Sequence, residues 1–383
     1  MNHSRLCLAV ALLLAGIAAG FFRPPIAAAQ PARDANTEAA ALHDRLNRIG
    51  SQLFSGGGGL DAAIRELKAI LAADPRSAQA HLLLGVAYRM KGSPELVGEA
   101  KAELVQAVAL NPDFVPARYY LAQLYLDLGR AGRAREEMEA ALGRHPGHPQ
   151  FLAVLGEAER QLGNPRRALE IVRAALKSDE AFHEARYYLA LALFDLGQRS
   201  EAIQEMERVV QSAPPVVEPY LSLGTAYVEA GRYDEAVKVL GQGLQINPAR
   251  PGLRVQRARA YRSQGLLAEA EEELALAMRD GAATLSAPFS EHVRFDFLLE
   301  QGLLAAHRDD LEAAAGMLRK LLDIDPNHGP TNRHLAEVYL RQGEYQRSFE
   351  AAERAGKLGF PLADDKRKLL DAALRRKESG KRP

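Results

Sequence analysis

Between Val217 and Arg250 the chain reads VEPYLSLGTAYVEAGRYDEAVKVLGQGLQINPAR, with its apolar residues on two helical stripes. Tyr220, Leu223, Gly224 and Tyr227 follow at steps of three, one and three, which on a 3.6-residue helix makes one apolar face with a small-residue notch. Gly231 predicts the end of that helix. Ala236, Leu240 and Gly243 predict a second, which stops before Pro248 because proline donates no amide and clashes with the preceding turn. The unit is 34 residues long and predicts a pair of short antiparallel helices.

The pattern recurs along almost the whole chain. Small residues occupy the eighth position of every unit, at Ser51, Gly85, Ala122, Gly156, Ala190, Gly224, Ala258, Gly302 and Ala336. They also occupy the twentieth, at Ala63, Ala100, Ala134, Ala168, Ala202, Ala236, Ala270, Ala314 and Ser348. Two helices that touch at these points would be pushed apart by anything larger. On these residues the chain resembles the tetratricopeptide repeat family, whose 34-residue helix-turn-helix carries small residues at the same two places. The resemblance implies an all-α, right-handed solenoid of about nine hairpins.

The expected units are 44–77, 78–114, 115–148, 149–182, 183–216, 217–250, 251–284, 295–328 and 329–362. The first is the least regular, with Gly50 in a leucine place and a Gly56–Gly59 turn, as expected of a terminal repeat with one wet face. Three extra residues fall within 93–97, where a turn absorbs them. Ten more, LSAPFSEHVR at 285–294, predict either a lengthened helix end or a surface loop that would expose Phe289. Asp309 replaces the expected turn glycine. Residues 363–378 predict a capping helix with Leu369, Leu370, Ala373 and Leu374 on one face, followed by a basic tail to 383.

The N-terminus differs in kind. A short basic start, an apolar run from Leu6 to Phe22 and Ala27-Ala-Ala29 read as a secretory signal over 1–29, with an uncleaved anchor as the alternative. Either reading exports the repeats, to the periplasm, the envelope membrane or the exterior. Membrane contact is then expected only through that segment. Residues 30–43 read as a polar linker turning helical, with Asn36 or Thr37 as its N-cap.

Charge adds little. Basic and acidic residues number 49 each, so no bulk field draws nucleic acid or an anionic membrane, and nucleic acid is not an expected partner. The single cysteine, Cys7, lies in the apolar run, so disulfides are not expected in a cleaved chain. No metalloprotease, serine-hydrolase or phosphate-loop motif occurs, and no cofactor or small-molecule substrate is expected. His145 and His148 in HPGHP are two imidazoles without a third ligand nearby, which suits a polar loop better than a metal.

The resemblance implies a groove lined by the second, fifth, ninth, twelfth and thirteenth positions of each first helix. Carried onto this chain, it implies a partner-binding set of Tyr119, Gln123, Leu126, Glu157, Arg160, Tyr187, Leu191, Phe194, Thr225, Arg259 and Arg262. Tyr119, Tyr187 and Phe194 are the candidate anchors, since aromatic side chains desolvate much area at small entropic cost; tyrosine there could equally pad the seam between repeats. The lysine and asparagine clamp by which some family members hold a chaperone C-terminus is missing. The expectation is a non-enzymatic scaffold of the cell envelope that binds a protein partner, in assembly of secretion, pilus or exopolysaccharide machinery. The alternatives are a glycan- or peptidoglycan-binding module, or a non-catalytic subunit of an envelope enzyme.

Overall fold

The 34-residue rhythm appears as paired helices in the computed structural model, which describes residues 33–54, 59–212, 216–286 and 291–378. The signal segment at 1–29, most of the Gly56–Gly59 turn, Phe289 and the end of the tail lie outside the described residues. Nineteen α-helices and no strands occur among the described residues. The chain divides into two compact units, Met1–Ala226 and Tyr227–Pro383.

In the first unit, α1 (Arg33–Phe54) and α2 (Leu60–Ala73) precede α3 (Ala78–Lys91) and α4 (Val97–Leu110). The hairpins α5 (Val115–Asp127) with α6 (Ala131–Arg144), α7 (Pro149–Gln161) with α8 (Pro165–Ser178) and α9 (His183–Asp195) with α10 (Arg199–Ser212) follow. Helix α11 (Val217–Glu229) contains the division between units. The second unit continues with α12 (Tyr233–Ile246), α13 (Pro251–Ser263), α14 (Leu267–Ser286), α15 (Glu291–His307), α16 (Leu311–Ile324), α17 (Gly329–Gln342), α18 (Tyr345–Lys357) and α19 (Asp364–Glu378).

Helix α1 begins at Arg33, ahead of Asn36 and Thr37, so both expected caps fall inside it and most of the expected linker is helix. The extra residues after Lys91 hold a 3-10 turn at Pro94–Leu96. Much of 285–294 lengthens helices: α14 runs on to Ser286 and α15 starts at Glu291.

The small residues mark close approach. A Cβ on Gly156 would stand 2.3 Å from Val172 Cγ2, and one on Gly85 2.7 Å from Leu104 Cγ. Both distances are too short for any real side chain, which explains the glycines. In the last hairpin the same contact is polar: Ser348 Oγ donates to the Ala336 carbonyl at 2.8 Å.

Two kinds of turn alternate. Within hairpins the chain turns through left-handed backbone, at Gly163 (φ 84°) for example, and Asp309 takes the same conformation at φ 67°. Between hairpins an Asp or Asn side chain accepts from the backbone amide two residues on, at Asp74, Asn111, Asp179, Asn247 and Asp325.

Helix α19 buries Leu370 against Ala336, Ala351, Ala352 and Leu362, with Leu374 packed beside them. Leu369 does not join that face and is 63% exposed. One residue along a helix is a turn of about 100°, which carries Leu369 off the buried stripe.

Candidate interaction groove

The groove positions lie on the first helix of each hairpin, where the side chains meet those of the neighbouring first helices. In the first unit this produces a buried polar network. Arg89 on α3 donates through Nε to Asp127 Oδ2 at 2.7 Å and through Nη1 to Gln123 Oε1 at 3.0 Å, both on α5. Gln123 Nε2 donates to the Tyr119 hydroxyl at 2.9 Å and to Glu184 Oε1 at 3.2 Å. The Tyr119 hydroxyl donates to Glu184 Oε2 at 3.1 Å, and that of Tyr188 to Glu184 Oε1 at 3.0 Å.

Beside it, Arg160 on α7 donates to Glu157 on its own helix at 2.7 and 2.9 Å and to Asp195 of α9 at 2.6 Å. Burial would lower the Arg160 pKa, but Glu157 and Asp195 outweigh it and raise it. Tyr187 bonds through its hydroxyl to Ser222 Oγ of α11 at 3.1 Å.

These contacts divide the predicted residues. Tyr119, Gln123, Leu126, Glu157 and Tyr187 are buried, and the ring of Tyr119 lies edge-on to Tyr120 and tilted against Phe151. With 2% of Tyr119 and 4% of Tyr187 accessible, these two do not present anchor surfaces; they pad and bond the seam between hairpins. Leu191, Phe194 and Thr225 are half-buried, and the Thr225 hydroxyl turns back to the Leu221 carbonyl at 2.9 Å.

In the second unit, Arg259 donates to Glu300 Oε1 at 2.7 Å and to Asp296 at 3.2 Å, while Arg262 donates to Glu300 Oε2 at 2.7 Å. Two arginines of α13 thus grip one buried carboxylate of α15. Arg262 also borders a cavity of about 770 Å³ whose walls include Leu303, His334, Val338, Leu340 and Leu369. Burial holds the His334 imidazole well below its ordinary range, at about 4, so that side chain is neutral at pH 7.

Sequence reasoning named no residues at the second and thirteenth groove positions, and these supply much of the chemistry. Glu184 and Asp296 are second-position residues, and Asp127 and Asp195 thirteenth-position ones. Their acidic character was the available signal. His148, in the two-histidine loop, stacks on Phe151 at 4.1 Å. No cluster of three or more His, Cys, Asp or Glu able to hold a metal occurs among the described residues. No described helix is long and apolar enough to cross a membrane.

Two family models match, both described as tetratricopeptide repeat, one over residues 97–158 and 227–286 and the other over 51–96 and 153–216. Together they cover more than half of the chain. The chain belongs to the tetratricopeptide repeat family. A search of curated proteins gave no match. Among solved structures, the hetero-tetramer Cut9-Hcn1 of the APC/C aligns with a TM-score of 0.70 and 16% identity, over 86% of this chain and 62% of that one. The present chain therefore spans less than two thirds of that relative. The human IFIT1 dimer with PPP-AAAA aligns with a TM-score of 0.56 and 18% identity, over 82% and 72% of the two chains. TTC0263, a thermophilic tetratricopeptide protein from Thermus thermophilus, is 26% identical over 48% of this chain and 98% of its own, with a TM-score of 0.44. At these identities the first two likenesses show the fold alone.

Proposed function

We propose that the protein is a non-enzymatic interaction scaffold of the cell envelope, holding a peptide or helix of a partner protein against its first helices. The observation that carries this reading is the half-buried row Leu191, Phe194 and Thr225, which stands beside the bonded network of Arg160, Glu157 and Tyr187. A row of that kind offers apolar area on a pre-ordered base, so an incoming segment loses little free energy to reorganisation of the protein. The recurring helix-in-groove mode uses such a surface. Export through residues 1–29 belongs to the same proposal on the strength of the N-terminal sequence pattern, and a place in assembly of secretion, pilus or exopolysaccharide machinery by analogy with the repeat family alone.

Crosslinked capture from envelope extract tests it, with the wild type beside a Leu191→Ala, Phe194→Ala double variant of matched helical content. A partner enriched by the wild type and lost from the variant supports the row. A partner held equally by both removes the row from the account. Cell fractionation with N-terminal sequencing of the recovered protein tests export; a cytoplasmic chain starting at Met1 ends that part of the proposal.

A further inference from the structure

Glu184 opens α9 and is 1% exposed. Of its hydrogen-bond donors, the Tyr119 hydroxyl and Gln123 Nε2 belong to α5, two hairpins earlier in the chain. The bonds pass over the intervening hairpin, whose residue at the Tyr119-equivalent fifth position is the fully buried Ala153. Stacked repeats ordinarily couple to their neighbours alone. Here the third hairpin is tied to the fifth.

All three donors to this carboxyl, with Tyr188 the third, are neutral. Arg89 reaches it only through Gln123 and is itself engaged by Asp127. From α7 come Glu157 and Arg160, bonded to each other. The cations Arg166, Arg167, Arg173 and Lys177 of α8, and its Glu170, are exposed. Helix α10 contributes Glu205, which is held by Arg186 and Arg208; α11 brings the buried Glu218, and Tyr120 stands on α5. Burial pushes the Glu184 carboxyl up to about 7, against the donors Tyr188, Tyr119 and Gln123 and the Arg89 charge.

We propose that Glu184 is a pH-operated latch between the third and fifth hairpins, seated without charge when protonated and weakening the fold at this seam when its proton is lost to solvent. The geometry supplies both halves of the device. The tie spans a neighbour, so a charge buried in it bears on three hairpins together; no cation touches the carboxylate and the nearest, Arg89, is engaged by Asp127, so ionisation is only partly compensated.

The test is denaturant unfolding of the full chain between pH 5 and 7.5, with Glu184→Gln in parallel. A glutamate in the unfolded chain ionises near its ordinary value, so across this window the unfolded state has released a proton that the folded state keeps. The wild-type unfolding constant should therefore rise about tenfold per pH unit relative to the variant, levelling above the folded-state ionisation. Equal slopes in both proteins would overturn the latch. Tyrosine difference absorbance reads the folded state: an inflection near neutrality, present in the wild type and lost in the variant, supports it, and a flat wild-type signal overturns it. Should Glu184→Gln not fold, Tyr119→Phe removes one donor to the ionised form and must move the inflection to higher pH; an unmoved inflection is equally fatal.

Discussion

Glu184 and Glu300 are buried to nearly the same depth, at 1% and 2% exposed, each on a first helix and each in a different unit. Their surroundings differ in kind. Glu300 receives one guanidinium from Arg259 and another from Arg262, the ninth and twelfth residues of the preceding hairpin. Glu184 receives two phenols and an amide. Depth alone therefore does not decide whether a buried carboxyl is held by charge or by neutral donors; the residue types at the facing groove positions do. The second unit uses arginines to hold its seam by charge. The first keeps Arg89 for Asp127 and leaves Glu184 to neutral donors.

The sharpest way to break this contrast is Glu300→Gln. It leaves two arginines facing one amide oxygen, and stability should fall by about 3 kcal/mol, the low end for a buried pair, because both arginines are partly exposed and Asp296 remains on Arg259. Calorimetry of the variant beside the wild type reads that loss, and an unchanged melting temperature would show that the two arginines do not need this carboxylate.

Glu184→Gln should do the opposite. A carboxyl raised in the folded state contributes stability that is fully present below its unfolded value and is lost as pH rises through about 7. The variant should therefore gain about 2 kcal/mol on the wild type between pH 5 and 7.5, read from denaturation midpoints. Tyr119→Phe should cost about 1 kcal/mol at pH 5, where one hydrogen bond is lost from a neutral cluster. A smaller effect is expected at the one non-glycine left-handed turn among the described residues: Asp309→Gly relieves backbone strain and should stabilise by up to about 1 kcal/mol, less whatever its ion pair with Arg341 contributes. Thermal melting of that variant at 1 M salt, where the exposed pair is screened, separates the two contributions.

The hairpins themselves were legible in the sequence. Small residues such as Gly156 and Ala168 recur at fixed intervals because two backbones touch there, and that constraint acts within a few turns of chain. Turn positions were legible for the same reason, including Asp309. The candidate site was legible as a set of positions and not as a surface. Tyr119 and Phe194 are both aromatic residues at groove positions, yet one is sealed and the other half-open. Leu369 sits beside Leu370 in an amphipathic pattern and is largely exposed.

The sequence by itself determined the period, the helical pairing, the close-contact residues and the family, all of which depend on spacings no longer than one repeat. Tertiary structure alone decided which groove residues face solvent and that Glu184 meets Tyr119 from 65 residues away. Exposure and ionisation are sums over every neighbour a side chain acquires, and those neighbours come from hairpins whose identity at the facing position, a tyrosine, an alanine or an arginine, no local pattern dictates.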